Sequence, residues 1–299
     1  MTELTLFQRE LQEKLPAFDL RFQEPMSRHT SFRIGGAAEV MAFPKNEQEL
    51  AALLSLSCDI RILGAGTNVL APDEGIKGLV ICLKDCLGGM ERINDTDIRV
   101  SAGVTMTRAA VFAANVGLSG LEFAHGIPGT VGGGVYMNAG AYGGEIKDVC
   151  VSVRVMDRGG NIRVLTNQDM EFSYRHSCLE ETGEIVLDTV FRLVPGVSGD
   201  IKARMKELMA KRSASQPLDL PSAGSAFKRP VGGYAAALID QAGLKGYRVG
   251  GAGISEKHAG FAVNLGGATA SDVRQLLTQV SQIVFDQSGI RLEPEVRIW

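Results

Sequence analysis

The segment GIPGTVGGGVYMNAGAYGG, residues 126–144, contains eight glycines among its nineteen residues. Glycine allows a backbone to approach a ligand closely, and successive backbone N–H groups form concave sites for phosphate oxygens. A purely structural loop of this composition would lose much conformational entropy on ordering for little packing in return. The segment therefore predicts a ligand-binding loop, with Thr130, Asn138 and Tyr142 as its polar side chains.

A second glycine-rich segment, GAGTNVL at residues 64–70, follows the β-prone run IRIL at 60–63. Phosphate-binding loops occupy such positions, and a simple tight turn stays open as the alternative. Val69 stands where the G-x-G-x-x-G fingerprint needs its third glycine, which disfavours a Rossmann domain. No glycine-rich loop ends in Gly-Lys-Ser/Thr, which excludes a Walker A loop. Two glycine segments in one chain suggest a ligand with a long, pyrophosphate-bearing body.

The composition is that of a globular protein with a substantial core, since 45% of the 299 residues are hydrophobic and 22% are charged. The net charge of −3 argues against a large nucleic-acid footprint. The N-terminus is charged from Glu3 onward and lacks the apolar core of a signal peptide, and no sustained apolar run resembles a membrane span. We therefore expect a cytoplasmic protein with neither nucleic-acid nor membrane partners.

The cysteines and histidines follow no metal-binding or disulfide pattern. The cysteines are odd in number and scattered without a C-x-x-C pair, and the histidines lack an H-E-x-x-H or comparable spacing. We expect no disulfide framework and no metal. The residues concerned are Cys58, Cys82, Cys86, Cys150, Cys178, His29, His125, His176 and His258.

Hydrophobic periodicity predicts an α+β fold with a domain boundary near Pro195. Alternating patterns from Val149 to residue 195 indicate antiparallel strands after the glycine loop. Helices are predicted from Leu4 to Leu15, over 46–56 with Asn46 as cap and Glu49 as its reciprocal partner, over 104–117, 200–215 and 234–243, and over 271–289 between Ser271 as cap and Gly289 as stop. Strands are predicted at 60–63, 79–83 and 258–265, and the tail from Arg291 is β-like.

Three short motifs carry side chains suited to chemistry, although each has an ordinary structural explanation. FSYRHS places Arg175 beside Tyr174, where arginine is either solvated or able to grip a planar carboxylate. PSAGSAFKRP, residues 221–230, isolates Ser225 ahead of Lys228. A serine hydrolase is excluded because GSAF lacks the G-x-S-x-G elbow. LEPEVRIW presents two glutamates on one side of an extended strand, or a solvated edge.

Seven motifs taken together, in order along the chain, resemble the UDP-N-acetylenolpyruvoylglucosamine reductase family, flavoenzymes of peptidoglycan precursor synthesis. The resemblance runs from about His29 to Arg297 and is closest to the shorter type, which lacks an extra tyrosine-bearing loop over the substrate. Small departures are Thr67, Gly134 and a final Trp299. The motifs are HTSFRIGGAA (29–38), LGAGTNVLAPDEGIKGLVI (63–81), GLEFAHGIPGTVGGGVYMNAGAYGGEI (120–146), YRHS (174–177), SAGSAFKRP (222–230), LIDQAGLKGYRVGGAGISEKHAGFAVN (238–264) and LEPEVR (292–297).

This resemblance implies a two-part FAD-binding region of the vanillyl-alcohol-oxidase type, residues 1–84 and 85–195. An α+β substrate domain, 196–299, would follow, with its C-terminal strand returning to the flavin side. FAD would be held non-covalently and NADPH would be the co-substrate. The implied activity is reduction of the enolpyruvyl group of UDP-N-acetylglucosamine-enolpyruvate to UDP-N-acetylmuramate.

The resemblance also implies roles for individual residues. Arg175 would pair with the substrate carboxylate, Glu295 would act with it on the enolic intermediate, and Ser225 would protonate C2. Tyr174, Gly224 and Lys228 would bind the substrate. The residues expected to bind FAD are Gly64, Ala65, Gly66, Thr67, Asn68, Val69, Gly126, Ile127, Pro128, Gly129, Thr130, Gly132, Gly133, Asn138, Ala139, Gly140 and Ala141.

Two other functions are weighed against this one. An FAD-linked alcohol or sugar oxidase would use oxygen as acceptor and would not need Arg175, Ser225 and Glu295 together. A nucleotide-binding module without turnover would tolerate mutation of all three residues. The ordered motifs favour the reductase over both.

Overall fold

The helices of the computed structural model, which describes residues 4–299, mostly begin at residues that cap them. Asn46 accepts the Glu49 N–H at 2.8 Å, as predicted, but the Glu49 carboxylate accepts from the Lys45 N–H instead of from Asn46. The predicted cap Ser271 is wrong, because Thr269 and Asp272 form a capping box two residues earlier and Ser271 lies inside the helix. Gly289 ends that helix at φ +72°, as predicted.

Helices occupy the predicted places and three further ones. The predicted helices are confirmed as α1, α2, α3, α7, α8 and α9, whereas α4, α5 and α6 are short and absent from the prediction. The bounds are α1 (Leu6–Lys14), α2 (Glu47–Leu54), α3 (Met106–Asn115), α4 (Val131–Tyr136), α5 (Ile146–Val149), α6 (Leu179–Thr182), α7 (Ser198–Ser215), α8 (Ala235–Gln241) and α9 (Ala270–Ser288). Within residues 4–299, no helix combines the length and the apolar character that a membrane crossing requires.

The strands are short and are distributed along the whole chain. They are β1 (Asp19–Pro25), β2 (Ala37–Phe43), β3 (Ile60–Leu63), β4 (Val69–Leu70), β5 (Ile76–Cys82), β6 (Met90–Arg92), β7 (Asp97–Ser101), β8 (Leu118–Ser119), β9 (Gly140–Ala141), β10 (Gly144–Glu145), β11 (Cys150–Met156), β12 (Ile162–Thr166), β13 (Ile185–Arg192), β14 (Val194–Pro195), β15 (Ser222–Ser225), β16 (Arg248–Val249), β17 (Ala252–Ile254), β18 (Phe261–Asn264) and β19 (Arg297–Ile298). The α+β class is therefore confirmed.

The chain forms two compact units, each assembled from separate segments. The first unit comprises Met1–Phe22, Val40–Ala65 and Gly78–Lys211, and the second comprises Gln23–Glu39, Gly66–Lys77 and Arg212–Trp299. The division of the chain into 1–84, 85–195 and 196–299 stays a prediction.

The first unit contains an antiparallel five-stranded sheet in the order β12-β11-β13-β7-β6. The predicted antiparallel strands after Val149 are thus confirmed, with β7 and β6 added from earlier in the chain. Alanines of α3 pack in the core beneath this sheet, together with Val153 and Phe191. A second core contains Leu50 and Leu53 of α2 and Ile81 of β5, which pairs in parallel with β3.

The second unit contains an antiparallel sheet in the order β15-β18-β17-β16. Helices α8 and α9 contribute Ile239, Val273, Leu276 and Val280 to its core. The predicted β-like tail is shorter than expected: only β19 is a strand, and it pairs in parallel with β4. Glu293 and Glu295 lie before β19, so their predicted placement in one extended strand is wrong.

Candidate active site

The glycine-rich segment 126–144 lies in the first unit and is only partly a loop. Residues 131–136 form α4, whose N-cap Thr130 is 2% exposed and accepts the Gly133 N–H at 3.4 Å. A Cβ on Gly132 would lie 3.0 Å from the Ala102 Cβ, and the Gly132 N–H donates to the Ala102 carbonyl at 2.9 Å. Close packing therefore accounts for part of the glycine density, and the description of the whole segment as a loop is wrong.

The two glycine-rich segments meet at Gly64 and Thr130, both in the first unit. A Cβ on Gly64 would lie 2.5 Å from the Thr130 Oγ1, well inside ordinary van der Waals contact. Only glycine therefore fits at position 64 without displacing the side chain that caps α4. This contact brings two segments that are far apart in sequence to one place.

Arg175 lies at the tip of a tight turn in the first unit. Ser173 and His176 exchange backbone hydrogen bonds of 3.2 and 3.3 Å, and Arg175 has φ +56°. The Arg175 guanidinium carbon lies 5.3 Å from the centre of the Tyr174 ring, and the Tyr174 side chain is half-exposed. Arginine in this geometry presents a planar set of donors at the surface of a turn, which suits recognition of a carboxylate.

Asn138 holds the base of that turn. Its Nδ2 donates to the Ser173 carbonyl at 2.9 Å and to the Glu145 carboxylate at 2.8 Å, and its Oδ1 accepts the Lys147 N–H at 2.9 Å. The residue is 1% exposed. The side chain that the sequence predicts to bind FAD is thus engaged in internal hydrogen bonds.

Ser225 lies in the second unit, at a β-bulge. β15 pairs with β18 through Ser222 opposite Val263 and Ser225 opposite Phe261, so the β15 side has one extra residue. Gly224 occupies the bulge with φ +78°. Bulges redirect side chains and are common next to active sites. The local sequence AGS therefore sets the direction of a half-buried serine hydroxyl.

The C-terminal segment runs beside Ser225. The Glu295 N–H donates to the Ala226 carbonyl at 2.9 Å, and the Asn68 Nδ2 donates to the Glu295 carbonyl at 3.1 Å. The Arg297 N–H donates to the Asn68 carbonyl at 3.0 Å. The half-buried Glu295 is thus anchored between the predicted serine segment and the predicted cofactor segment.

Lys228 is tied to the same C-terminal segment. Its N–H donates to the Glu293 carbonyl at 2.8 Å, and its ammonium pairs with the Glu293 carboxylate. Glu293 therefore partly neutralises the Lys228 ammonium, which the sequence predicts to lie near Ser225 or the substrate. Glu293 itself is largely exposed.

Two residues outside the predicted site hold this second unit together. The Ser31 N–H donates to the Gly66 carbonyl at 3.0 Å and the Ser31 Oγ donates to the Ser222 carbonyl at 2.6 Å, so Ser31 links the cofactor segment to β15. Asp73 accepts from the N–H groups of Ala270 and Ser271 at 2.7 and 3.0 Å, at the start of α9. The motifs that carry the family resemblance include both residues, but only the tertiary contacts show which segments they connect.

The cysteines are all free thiols. Burial raises the pKa of Cys150 to about 12 and the pKa of Cys86 to about 11, so both are protonated at neutral pH. Burial also raises the pKa of Cys82, whose thiol lies 3.8 Å from the Gly64 carbonyl. These thiols are packing groups.

The predicted site residues fall into two sets, one in each unit. The first unit holds Gly64, Ala65, Gly126, Ile127, Pro128, Gly129, Thr130, Gly132, Gly133, Asn138, Ala139, Gly140, Ala141, Tyr174 and Arg175. The second unit holds Gly66, Thr67, Asn68, Val69, Gly224, Ser225, Lys228 and Glu295. Their functional roles remain predictions.

Comparison with known families identifies both parts of the chain. A family model described as "FAD binding domain" matches residues 38–166, and one described as "UDP-N-acetylenolpyruvoylglucosamine reductase, C-terminal domain" matches residues 216–299. The chain belongs to the UDP-N-acetylenolpyruvoylglucosamine reductase family. The predicted order, an FAD-binding region followed by a distinct C-terminal domain, is thereby confirmed.

Relatives and a solved structure agree with this family. The chain is 46% identical to the UDP-N-acetylenolpyruvoylglucosamine reductase of Agathobacter rectalis, over 98% of both chains. It is 47% identical to the enzyme of that name from Caldanaerobacter subterraneus subsp. tengcongensis, over 96% of both. The crystal structure of UDP-N-acetylenolpyruvylglucosamine reductase from Thermus caldophilus is 36% identical, with a TM-score of 0.79 over 94% of this chain and 98% of that one.

The first unit has polar groups beside the glycine-rich segment that fit the pyrophosphate of FAD. The backbone N–H groups of Gly126 and Gly129 have no acceptor within residues 4–299. The His125 Nδ1 is buried and likewise has no hydrogen-bond partner in the described part of the chain. Since buried polar atoms are almost always paired, the His125 Nδ1 calls for a polar ligand beside the glycine-rich segment, and the N–H groups of the half-buried Gly126 and Gly129 could donate to the same ligand.

Proposed function

We propose that this chain reduces the enolpyruvyl group of UDP-N-acetylglucosamine-enolpyruvate to UDP-N-acetylmuramate with NADPH, using non-covalently held FAD. Membership of the reductase family over nearly the whole chain carries the proposal. The segments around Gly64 and Gly129 would hold the cofactor. Bound FAD supplies the hydride carrier between NADPH and C3 of the enolpyruvyl group.

Arg175 pairs with the substrate carboxylate in this proposal. Hydride arrival at C3 places negative charge at C2, and that charge spreads into the carboxylate as an enolate-like species. A donor aimed at developing charge contributes about 3–4 kcal/mol, or about 100- to 1,000-fold in rate. The tight turn at residues 173–176 supports this role because backbone hydrogen bonds between Ser173 and His176 close it and hold Arg175 in the left-handed conformation at φ +56°.

Ser225 donates the proton to C2, and Glu295 acts with Arg175 on the enolic intermediate. An alcohol is a weak acid, but a carbanion-like carbon is a strong base and accepts its proton readily. The hydrogen bond between the Glu295 N–H and the Ala226 carbonyl supports a shared role for Ser225 and Glu295, because it holds their segments side by side. The bulge at Gly224 sets the backbone direction just before Ser225. A carboxylate beside a substrate carboxylate needs either a nearby arginine or a proton of its own.

The substrates are small molecules, and Tyr174, Gly224 and Lys228 are proposed to bind the sugar nucleotide. We propose a cytoplasmic location without nucleic-acid or membrane partners. The net charge of −3 supports the absence of a nucleic-acid footprint.

The deciding experiment separates the two half-reactions. Purified protein loaded with FAD is treated with one equivalent of NADPH without oxygen, and the enolpyruvyl UDP-sugar is then added while flavin absorbance is followed. Bleaching by NADPH and recovery on addition of the sugar nucleotide are the expected results. Bleaching without recovery would contradict the proposed substrate, and steady oxygen consumption with a sugar would favour an oxidase.

A further inference from the structure

Asn138 lies in the segment that the resemblance assigns to the cofactor, but its side chain makes its hydrogen bonds within the protein. The Nδ2 group has two hydrogens, and two acceptors use them: the Ser173 carbonyl at 2.9 Å and the Glu145 carboxylate at 2.8 Å. The Oδ1 accepts the Lys147 N–H at 2.9 Å. At 1% exposure, the amide has no free donor for a ligand.

One of these acceptors belongs to the turn that carries Arg175. Ser173 and His176 close this turn through their own backbone hydrogen bonds, and the Ser173 carbonyl also accepts from Asn138. Only Tyr174 separates Ser173 from Arg175, so a shift at Ser173 is transmitted through a tight turn to the guanidinium. A misplacement of about 1 Å can cost about 100-fold in rate when a group must meet a reacting centre.

The other contacts of Asn138 make it a rigid support. The Glu145 carboxylate that accepts from Asn138 lies 3.3 Å from the Lys147 ammonium, so the acceptor is itself held. The backbone of Asn138 is in the left-handed region at φ +41°, which asparagine adopts more easily than most residues. A second anchor, the Ser177 Oγ donating to the Tyr136 carbonyl at 2.8 Å, holds the chain just after the turn.

We infer that Asn138 is a positioning residue for Arg175: its amide connects the end of the glycine-rich segment to the Arg175 turn and sets where the guanidinium meets the substrate carboxylate. The inference rests on the proposed function of Arg175. It assigns Asn138 to the sugar-nucleotide half-reaction and removes its side chain from FAD binding.

The test uses Asn138→Gly, which retains the left-handed backbone and removes the three side-chain hydrogen bonds. FAD-loaded variant and wild type are compared for FAD affinity, for anaerobic flavin reduction by NADPH, and for reoxidation by saturating enolpyruvyl UDP-sugar. Reoxidation is expected to slow by about 10- to 100-fold, with FAD affinity and flavin reduction changed by less than about threefold. Unchanged reoxidation would overturn the inference, and so would equal losses in FAD affinity and both half-reactions.

The matched control is Asn167→Ala. Asn167 Nδ2 also holds two carbonyls, those of Lys147 and Cys150, each at 2.8 Å, but it does not contact the Arg175 turn. Its loss is expected to lower thermal stability while leaving both half-reactions within about twofold of wild type. If Asn167→Ala slows reoxidation as much as Asn138→Gly does, the effect is general destabilisation and the inference fails.

Arg175→Ala separates failure of the inference from failure of the proposed function. If Arg175→Ala reoxidises normally, the proposed role of Arg175 is wrong and the inference falls with it. If Arg175→Ala is slow, adding Asn138→Gly is expected to slow it by no more than about twofold further, since both changes remove the same interaction. Full multiplication of the two effects would overturn the inference. Asn138→Asp, which keeps the acceptor and loses the donors, serves the same test if Asn138→Gly does not fold.

Discussion

Substitution of Gly64 by alanine tests how the two glycine-rich segments fit together. The new Cβ would lie 2.5 Å from the Thr130 Oγ1, about 1 Å short of the ordinary contact range that begins at 3.4 Å. The neighbouring carbons of Thr130 would be 3.7 and 3.8 Å away, so the clash involves the hydroxyl alone. That hydroxyl caps α4, and moving it breaks the cap.

The magnitude follows from these contacts. Loss of a threonine cap costs about 1 kcal/mol, and forcing an atom into a packed site costs about 1–3 kcal/mol. Gly64 is not in the left-handed region, so alanine would otherwise stabilise the chain by about 0.4–1 kcal/mol through the unfolded state. We expect Gly64→Ala to lower the free energy of unfolding by about 2 kcal/mol and to weaken FAD binding, because the clash lies between the two cofactor segments.

The assay is a double-mutant cycle with Thr130→Ala, measured by denaturant unfolding of the FAD-free protein. Thr130→Ala alone should cost about 1 kcal/mol, and Gly64→Ala added to it should cost nothing or stabilise slightly, because no hydroxyl is left to displace. A Gly64→Ala cost that is equal in both backgrounds would refute the reasoning. So would a cost under about 0.5 kcal/mol in the wild-type background.

Three further outcomes are expected. Ser225→Ala should slow reoxidation by the enolpyruvyl UDP-sugar by at least about 100-fold while NADPH still reduces the flavin; equal loss of flavin reduction in stopped-flow traces would contradict a proton-donor role. Asp97→Asn should lower the free energy of unfolding at pH 7, because hydrogen bonds from Arg192 lower the pKa of Asp97 to about 2. The loss should be only about 1 kcal/mol, because Arg192 is largely exposed and solvent screens the pair. The difference in unfolding free energy between wild type and Asp97→Asn should fade as pH falls from about 4 towards 2, because Asp97 becomes protonated. A difference that persists in acid unfolding curves would contradict this prediction. Asp73→Ala should cost about 1–2 kcal/mol in thermal unfolding, because Asp73 accepts two N–H groups at the start of α9, whereas Asp73→Asn should lose less.

Interactions between near neighbours in sequence were the predictable part of the fold. The stop of α9 at Gly289 and the cap at Asn46 depend on residues within one helical turn. The antiparallel strands after Val149 follow from an alternating pattern that each strand carries by itself. The order of the seven motifs then identified the family without any knowledge of contacts, because each motif is recognised from consecutive residues and its position in the chain.

Errors arose where a local pattern admits more than one use. The glycines of 126–144 are consistent with a loop, yet residues 131–136 form α4, and Gly132 packs so tightly there that a Cβ would lie 3.0 Å from the Ala102 Cβ. Ser271 is a good cap by residue type, but Thr269 is followed at the right spacing by Asp272 and forms the reciprocal pair. The choice between loop and helix, or between two possible caps, depends on all the contacts that the segment makes in the folded protein.

The sequence by itself determined the fold class, the family and the residue types available for carboxylate binding and proton donation, because these depend on composition, periodicity and ordered motifs. Only the tertiary structure decided what Asn138, Gly64 and Glu295 contact. Asn138 meets a carbonyl 35 residues away, and the Glu295 carbonyl accepts from an asparagine 227 residues away. Such pairings have no local signal, since a hydrogen bond between distant residues exists only after the chain between them has folded.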